Sequence, residues 1–329
     1  MMPNLTAYNE TCANICNSMF NYRMLNVKGK SEHADVMELV LYNSALSGID
    51  LGGTNYFYAN PLRMIHDTRD YHAHENVTET PEREPYLNCF CCPPNLVRTI
   101  AKVSGWAYSL PENGVAVNLY GGNKLSTKLQ DGSELQLVQE TNYPWEGSVK
   151  ITIEKCKKDA FDLMLRIPDW TENAVVMVNG EDAGVDIVPG SFATISRKWK
   201  KGDVISVELP MDVTLVEGHP RIEEVRNHVA IQRGPVVYCV ESPDLPKGTD
   251  ILDVYLSADS EMVPEYDAAF LGGVSRIKGK VFIRQDHKDG MYRKVAKPEW
   301  KEHNTQFVPY FSWSNRGLAE MTVFFPVLW

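Results

Sequence analysis

The sequence predicts a multidomain protein with α-helices in roughly the first third and β-sandwiches in the remainder. Apolar residues recur at helical spacing before residue 108 and alternate with polar residues after it. In the second part, turn residues follow one another at short intervals, and Asn179-Gly180 is a strong hairpin signal. A chain of 329 residues is long enough for two or three domains, each with its own core.

Three helices are predicted in the first part. The first carries one apolar stripe at i, i+3, i+4, i+7 and i+8, formed by Cys12, Ile15, Cys16, Met19 and Phe20. Ser31 is the predicted N-cap of the second helix, which ends just before Gly48. The third begins at Pro93-Pro94, because proline suits the first turn of a helix, and extends to Trp106.

An aromatic segment from Asn55 to Leu62 lies between the second and third helices and predicts a strand. Its three consecutive aromatic residues, Tyr56, Phe57 and Tyr58, either include a ring that stacks on a sugar or belong to the strand core. An irregular polar stretch from His66 to Leu87 follows, and a loop of that length is uncommon without a function. Its histidines, His66, His72 and His74, are interpreted as solvated loop residues rather than metal ligands.

The second part contains many short segments in which apolar and polar residues alternate, the pattern of half-buried strands. Clear examples are Val115–Leu119, Ser148–Ile153, Ala174–Val178 and Val204–Leu209. The segment from 108 to 329 is too long for one small sandwich, so two are predicted, with a boundary between Pro210 and Val216. The predicted domains are therefore 1–107, 108–212 and 213–329.

Composition and charge exclude two classes of partner. The formal net charge of -10 argues against nucleic acid, because phosphate binding requires an excess of lysine and arginine. No apolar run approaches the roughly 20 residues that span a bilayer, so no membrane partner is predicted. Residues Met1–Glu10 lack the basic and apolar regions of a signal peptide. A cytoplasmic location is favoured over a periplasmic one.

The seven cysteines are unevenly distributed, and Cys89, Cys91 and Cys92 lie within four residues. Adjacent cysteines rarely form a disulfide with each other, because the intervening peptide would be strained. Disulfide scaffolds are also typical of short secreted chains rather than of chains of this size. The cluster therefore indicates metal ligands or reactive thiols. The isolated cysteines, Cys16, Cys156 and Cys239, are interpreted as small core residues.

Two short motifs carry the groups that zinc prefers, namely thiolates and carboxylates. In Glu10-Thr11-Cys12 and in Cys89-Phe90-Cys91, two such residues flank a single residue, so one short turn could present both to a common ion. The helix start at Pro93 is expected to lower the pKa of a nearby thiol through its positive dipole end. The spacing alone does not distinguish a zinc site from core cysteines.

Several segments, in their order along the chain, resemble the β-L-arabinofuranosidases of glycoside hydrolase family 127 and its relatives. They are Pro3–Cys12, the helix Ala34–Asn43, the strand Phe57–Leu62 and the run Cys89–Asn95. Near the end of the chain, Pro309–Gly317 resembles the closing signature of that family. The resemblance covers essentially the whole chain, and its Cys-Cys-Pro-Pro-Asn motif is specific.

This resemblance implies that the helices belong to an (α/α)6 catalytic barrel, present here only in its C-terminal part and followed by two β-sandwich domains. Glu10, Cys12, Cys91 and Cys92 resemble the ligands of a Zn²⁺ ion, and Cys91 resembles the nucleophile of a retaining glycosidase. Cys89 matches a family cysteine without an assigned role. The implied partner is a glycan or glycopeptide that contains arabinofuranose, and a homodimer stays open.

The chain also departs from the family pattern. The general acid/base of the family is a glutamate upstream of the Glu-Thr-Cys motif, and its position here falls before Met1. Such a proton donor is worth roughly 10²- to 10⁴-fold in rate, so the chain is expected to be an inactive C-terminal portion. The first alternative is a non-catalytic carbohydrate-binding or scaffolding protein with a structural zinc. The second is a zinc hydrolase that uses metal-bound water and needs an open coordination position.

Overall fold

A computed structural model describes residues 4, 8–65, 82–156, 160–286, 292 and 294–329. The histidines His66, His72 and His74 lie outside the described residues. The α-helices are α1 Thr11–Lys28, α2 Ser31–Val40 and α3 Cys92–Lys102. The strands are β1 Arg63–Met64, β2 Tyr108–Ser109, β3 Gly114–Val117, β4 Asn123–Lys128, β5 Glu134–Thr141, β6 Ser148–Cys156, β7 Phe161–Ile167, β8 Val175–Val178, β9 Glu181–Asp182, β10 Ser191–Arg197, β11 Val204–Glu208, β12 Val213–Glu217, β13 His228–Arg233, β14 Val236–Glu241, β15 Val254–Ser257, β16 Val263–Asp267, β17 Val274–Arg284, β18 Trp300–Pro309, β19 Met321–Thr322 and β20 Phe324–Leu328.

The predicted order of helices followed by strands is confirmed in the described part of the chain. The three α-helices end by Lys102, and every strand except the two-residue β1 begins at Tyr108 or later. The four strand segments predicted from alternation coincide with β3, β6, β8 and β11. Among the described residues, no helix is long and apolar enough to span a bilayer.

The chain forms two compact units, and each draws on separate stretches of sequence. The first contains residues 1–14, 42–96 and 213–329, and the second contains residues 15–41 and 97–212. The division into three consecutive domains stays a prediction.

The first unit is built on a ten-stranded sheet in the order β1-β19-β14-β18-β17-β15-β20-β13-β12, with β16 paired to β17. All of its pairs are antiparallel except β15 with β20. Phe57 and Trp313 stack in its core, with ring centroids 4.9 Å apart. The predicted strand from Asn55 to Leu62 is wrong, because only Tyr56 and Ala59 form isolated bridges there and the rest is irregular.

The second unit contains a four-stranded sheet, β10-β7-β3-β2, and a six-stranded sheet, β4-β5-β6-β11-β8-β9. Burial alternates along strands such as β5 and β6, so these strands bury one face. The predicted hairpin at Asn179-Gly180 is confirmed: it joins β8 to β9, and both residues have positive φ angles, 55° and 84°. These angles are those of the type I′ turn that this dipeptide favours.

The predicted apolar stripe of α1 is partly wrong. Ile15 is buried, but Cys16 and Phe20 are exposed. The buried face instead includes Ser18, whose hydroxyl donates to the carbonyl of Met37 at 3.1 Å. Polar side chains with such partners tolerate burial, so the true buried face is rotated away from the apolar stripe.

Four further expectations have different outcomes. The core interpretation of Cys16 is wrong, that of Cys239 is confirmed by its complete burial, and Cys156 is only partly buried. The N-cap assignment of Ser31 is also wrong. Ser31 is the first residue inside α2, and its hydroxyl donates to the carbonyl of Gly190, a partner distant in sequence.

Candidate metal centre

A short bridge positions the first motif, Glu10-Thr11-Cys12. Glu10 pairs with Ala59 in an isolated antiparallel bridge immediately before α1 begins. The amide of Thr11 donates to the carbonyl of Tyr58 at 2.8 Å, and its hydroxyl donates to the carbonyl of Phe57 at 2.9 Å. Thr11 is completely buried, whereas Glu10 and Cys12 are only partly buried. Thr11 thus anchors the motif, and the flanking side chains of Glu10 and Cys12 are available as metal ligands.

Two buried polar residues complete this anchor. The side-chain amide of Asn60 donates to the Thr11 hydroxyl at 2.9 Å, and its carbonyl oxygen accepts from the Ser47 hydroxyl at 2.7 Å. The backbone amide of Asn60 also donates to the carbonyl of Asn9 at 2.9 Å. Sequence reasoning missed both Asn60 and Ser47, since their partners are distant in sequence and no spacing indicates them.

Gly48 lets the backbone approach this anchor closely. A Cβ atom added there would lie 2.7 Å from Cγ2 of Thr11, closer than real Cβ contacts allow. Gly48→Ala is therefore expected to lower the free energy of unfolding by about 1–3 kcal/mol, because Thr11 must move. Urea denaturation measures the change. Gly105→Ala is the control, since no neighbouring heavy atom lies within 4 Å of its added Cβ. Equal effects of the two substitutions would contradict the argument.

The second motif lies at the start of α3. The helix begins at Cys92, one residue before the predicted Pro93-Pro94 start. The amide of Asn95 donates to the carbonyl of Cys91 at 3.3 Å, which closes the first turn. Cys91 is exposed immediately before the helix, and Cys92 is completely buried inside its first turn. Adjacent thiols therefore differ sharply in their access to solvent.

Arg83 connects the segment before the cysteines to the C-terminal region of the first unit. Its guanidinium donates to the carbonyl of Ser47 at 3.0 Å, to that of Trp313 at 2.7 Å and to that of Phe311 at 3.2 Å. It also lies 4.4 Å from the centroid of the Phe57 ring. Phe57 is thus a core residue between Arg83 and Trp313 rather than a free stacking ring. Sequence reasoning missed Arg83, although it recognised the segment containing Trp313.

The structure brings together Glu10, Cys12, Cys91 and Cys92. One donor atom from each lies within 4.8 Å of the others. The Cys91 Sγ atom is 3.4 Å from Glu10 Oε1 and 3.6 Å from Cys92 Sγ, and Cys92 Sγ is 3.7 Å from Glu10 Oε1. Cys89 lies beside this group, with its Sγ atom 3.8 Å from that of Cys91, but it does not share the common centre.

These separations match the requirements of a tetrahedral zinc ion. With Zn–S bonds of about 2.3 Å and Zn–O bonds of about 2.0 Å, neighbouring ligand atoms are roughly 3.5–3.8 Å apart. The distances among Cys91, Cys92 and Glu10, 3.4–3.7 Å, lie close to this range. Three thiols and one carboxylate are also a donor set that zinc accepts. The four residues therefore fit zinc in donor chemistry, and Glu10, Cys91 and Cys92 also fit it in spacing.

The electrostatics of the cluster favour a bound cation. Although Cys91 is exposed as a residue, desolvation of its thiol inside the cluster, followed by hydrogen bonding with Cys12, raises the pKa of that thiol to about 12. Burial also raises the pKa of Cys92, which packs against the apolar side chains of Tyr58 and Leu87. The pKa of both thiols is raised, which is the opposite of the direction expected beside a helix start. A thiolate at neutral pH therefore requires a positive charge in the cluster.

Comparison with known proteins places these features in a family. Three family profiles match consecutive stretches of the chain: the GH127 β-L-arabinofuranosidase catalytic domain over residues 1–105, the GH127 middle domain over 114–211, and the glycoside hydrolase family 127 C-terminal domain over 213–326. A non-reducing end β-L-arabinofuranosidase from Bifidobacterium longum subsp. longum is 33% identical over 335 residues, which cover 98% of this chain and 50% of that protein.

Solved structures agree with the profiles. A structure described as a glycoside hydrolase is 42% identical, with a TM-score of 0.92, and the match covers 99% of this chain and 53% of that one. A GH127 β-L-arabinofuranosidase from Geobacillus stearothermophilus T6 is 36% identical, with a TM-score of 0.91, over 99% and 51% of the two chains. The chain thus spans about half the length of these relatives. Because the three profiles together cover nearly all of its residues, the chain belongs to glycoside hydrolase family 127.

Proposed function

We propose that this chain supplies the metal site and the nucleophile of a retaining glycoside hydrolase of the β-L-arabinofuranosidase type. The observation that carries the proposal is the convergence of Glu10, Cys12, Cys91 and Cys92 within 4.8 Å. The names of the relatives support arabinofuranose as the sugar that is released. The substrate would then be a glycan or glycopeptide that contains arabinofuranose.

Cys91 is the proposed nucleophile because it is the exposed member of the adjacent pair, whereas Cys92 is completely buried. In a retaining mechanism, the Cys91 sulfur attacks the anomeric carbon, the glycosidic bond breaks, and the sugar is held as a thioglycoside. Water then attacks the same carbon and gives its proton to the deprotonated acid/base, and the Cys91 sulfur leaves as a thiolate. Bound zinc would supply the positive charge that keeps this sulfur deprotonated and makes it a better leaving group.

The proton for the leaving oxygen must come from another group. Glu10 is the carboxylate of the cluster, and as a metal ligand it has no proton to give. We place the general acid/base in the part of the whole enzyme that this chain does not span, together with the remaining helices of an (α/α)6 barrel around α1, α2 and α3. The chain alone is then inactive on natural linkages, whose leaving groups need protonation.

An activated substrate tests the nucleophile without the acid. A β-L-arabinofuranoside with a dinitrophenyl leaving group departs without protonation, so it is expected to add one pentosyl unit to the zinc-loaded chain. Intact-protein mass spectrometry measures the addition, and peptide mapping locates it on Cys91. An unactivated alkyl arabinofuranoside is expected to leave the chain unmodified.

Two cysteine variants serve as matched tests. Cys91→Ala is expected to abolish the addition, whereas Cys89→Ala, which removes a thiol 3.8 Å away, retains it. Addition to Cys89, or addition that persists in Cys91→Ala, would contradict the assignment of the nucleophile. Release of alcohol from the unactivated substrate by the chain alone would show that an acid/base lies within these residues.

A structural zinc site is the second candidate, because four protein donors that close a tetrahedron are typical of structural sites. The same four donors argue against a hydrolase that uses metal-bound water, which needs an open position. The labelling experiment separates the remaining two functions. A zinc-loaded chain that Cys91 never links to a sugar supports the structural site, even where zinc is bound tightly.

A further inference from the structure

A groove lies on the ten-stranded sheet of the first unit, among residues that the metal centre does not use. Its volume is about 780 Å³, within the roughly 300–1,000 Å³ range of small-molecule sites. Strands β17 and β18 form its floor, and the segment from Ser257 to Glu261 forms one wall, with Val263 beside it. Asp244 also lines the groove. The groove is therefore an open surface depression of ligand size.

Cross-strand pairs determine the chemistry of the floor. In the register of β17 and β18, Lys278 lies opposite Gln306, and Lys280 lies opposite Asn304. The side-chain amide of Gln306 is fixed at both ends: its oxygen accepts from Arg276 at 2.6 Å, and its nitrogen donates to Asp244 at 2.6 Å. Part of the floor is thus held rigidly before any ligand binds, which lowers the entropic cost of binding.

Other polar groups in the groove are available to a ligand. Within the described residues, the side chains of Asp259, Glu261 and Asn304 make no hydrogen bond or ion pair, and all three are exposed. The two lysines form exposed ion pairs, Lys278 with Glu265 and Lys280 with Glu302. The free groups are therefore two carboxylates and one amide. They accept and donate hydrogen bonds to hydroxyl groups, and they repel anions.

An aromatic surface borders these polar groups. Phe282 lines the groove and is partly exposed, and in the register of the sheet it lies opposite Tyr255 on β15. The Tyr255 ring contacts that of Trp300 edge to face, with centroids 4.7 Å apart. Sugar rings present one polar edge and one face of C–H groups, and aromatic rings cover such faces well. Free hydrogen-bonding groups beside an aromatic ring therefore suit both the polar edge and the C–H face of a sugar.

We propose that this groove is a binding site for a neutral oligosaccharide, separate from the metal centre. Asp259, Glu261 and Asn304 bind its hydroxyl groups, and Phe282 covers the C–H face of one sugar ring. The two free carboxylates exclude uronic-acid chains by like-charge repulsion. The site holds a glycan without cleaving it, and it does not depend on the proposed function of Cys91.

Calorimetric titration of the Cys91→Ala chain tests the site, because this variant separates binding from any chemistry at the metal centre. The probe is a short linear arabino-oligosaccharide, and a neutral xylo-oligosaccharide and a galacturonic-acid oligosaccharide are compared with it. At least one neutral probe is expected to bind, and the acidic probe is not. Asn304→Ala and Phe282→Ala, each added to Cys91→Ala, are expected to weaken binding about tenfold or more.

Asn113→Ala is the matched control, an exposed asparagine in the second unit that is expected to leave affinity unchanged. If Phe282→Ala lowers the melting temperature, Asn304→Ala alone tests the site, because Asn304 is exposed. Absence of binding to every neutral probe overturns the proposal, and so does binding that Asn304→Ala and Phe282→Ala leave intact. Binding that appears only with added calcium also overturns it, because the groove would then be a cation site.

Discussion

Cys92→Ala is expected to weaken zinc binding by the chain more than about 100-fold, since loss of a residue that merely orients a metal ligand already costs roughly 10- to 100-fold. Cys92 is completely buried, and its sulfur lies 3.6 Å from Cys91 Sγ and 3.7 Å from Glu10 Oε1. Alanine removes one of the four donors. Competition with a chromogenic chelator under reducing conditions measures the affinity.

Cys89→Ala is the matched control for this measurement. Its sulfur is near Cys91 but outside the group of four donors, so its removal is expected to change zinc affinity less than about tenfold. Cobalt substitution gives an independent readout, because thiolate ligands produce an intense charge-transfer absorption that should weaken in Cys92→Ala alone. Zinc affinity that falls equally in Cys89→Ala and Cys92→Ala would contradict the four-donor assignment.

The two site motifs could be found from the sequence because each is local. Glu10 and Cys12 flank one residue, and Cys91 and Cys92 are adjacent at a helix start that two prolines mark. The convergence of the two motifs could not be derived from spacing, since they lie about 80 residues apart. The resemblance to a family grouped these four residues, and the structure places their donor atoms together.

The residues that support the site left no signal in the sequence. Thr11, Asn60 and Ser47 form a buried hydrogen-bonded chain whose members come from three separate segments. Arg83 ties the site segment to carbonyl groups more than 200 positions away. Such contacts depend on the tertiary fold, and the residue types involved are equally common in loops.

The burial of individual helix residues shows why hydrophobic periodicity alone did not identify the buried face of a helix. In α3, Leu96 is buried, whereas the apolar side chains of Val97 and Ile100 are about half exposed. In α1 the buried face includes Ser18 and Asn21, which periodicity counts as polar. A hydrophobic pattern predicts that a helix forms, but hydrogen-bond partners elsewhere in the fold decide which residues are buried.

Arg166→Met is expected to lower the free energy of unfolding by about 3–5 kcal/mol, the usual cost of leaving a buried charge without its partner. Arg166 is completely buried in the second unit, where its guanidinium binds the carboxylates of Asp35 at 2.6 Å and Glu38. Glu38 also accepts from the Tyr143 hydroxyl at 2.7 Å and from the Trp170 indole at 3.3 Å. Urea denaturation followed by tryptophan fluorescence measures the loss.

The exposed pair of Lys155 and Glu134 provides the control within the same unit, since Lys155→Ala should cost less than about 1 kcal/mol. The triple variant Asp35→Asn, Glu38→Gln and Arg166→Met should recover most of the stability, because it leaves no buried charge. Equal losses in the single and triple variants would show that packing, not charge, is responsible.

The loss of stability in Arg166→Met should also depend on pH, in a direction that the pKa of Asp35 determines. Burial, which outweighs the attraction of Arg166, raises the pKa of Asp35 from 3.8 to about 6. One reason is that its second carboxylate oxygen is buried and has no hydrogen-bond partner among the described residues. Between these two pKa values the folded chain holds a proton that the unfolded chain releases, so the stability contributed by Asp35 falls as pH rises. Without Arg166, Asp35 binds its proton more tightly still, because the attraction of the guanidinium, which lowers the pKa of this carboxyl, is lost. The loss in Arg166→Met should therefore be smaller in mildly acidic buffer than in neutral buffer, and a loss that grows on acidification would contradict a mechanism based on buried carboxylates.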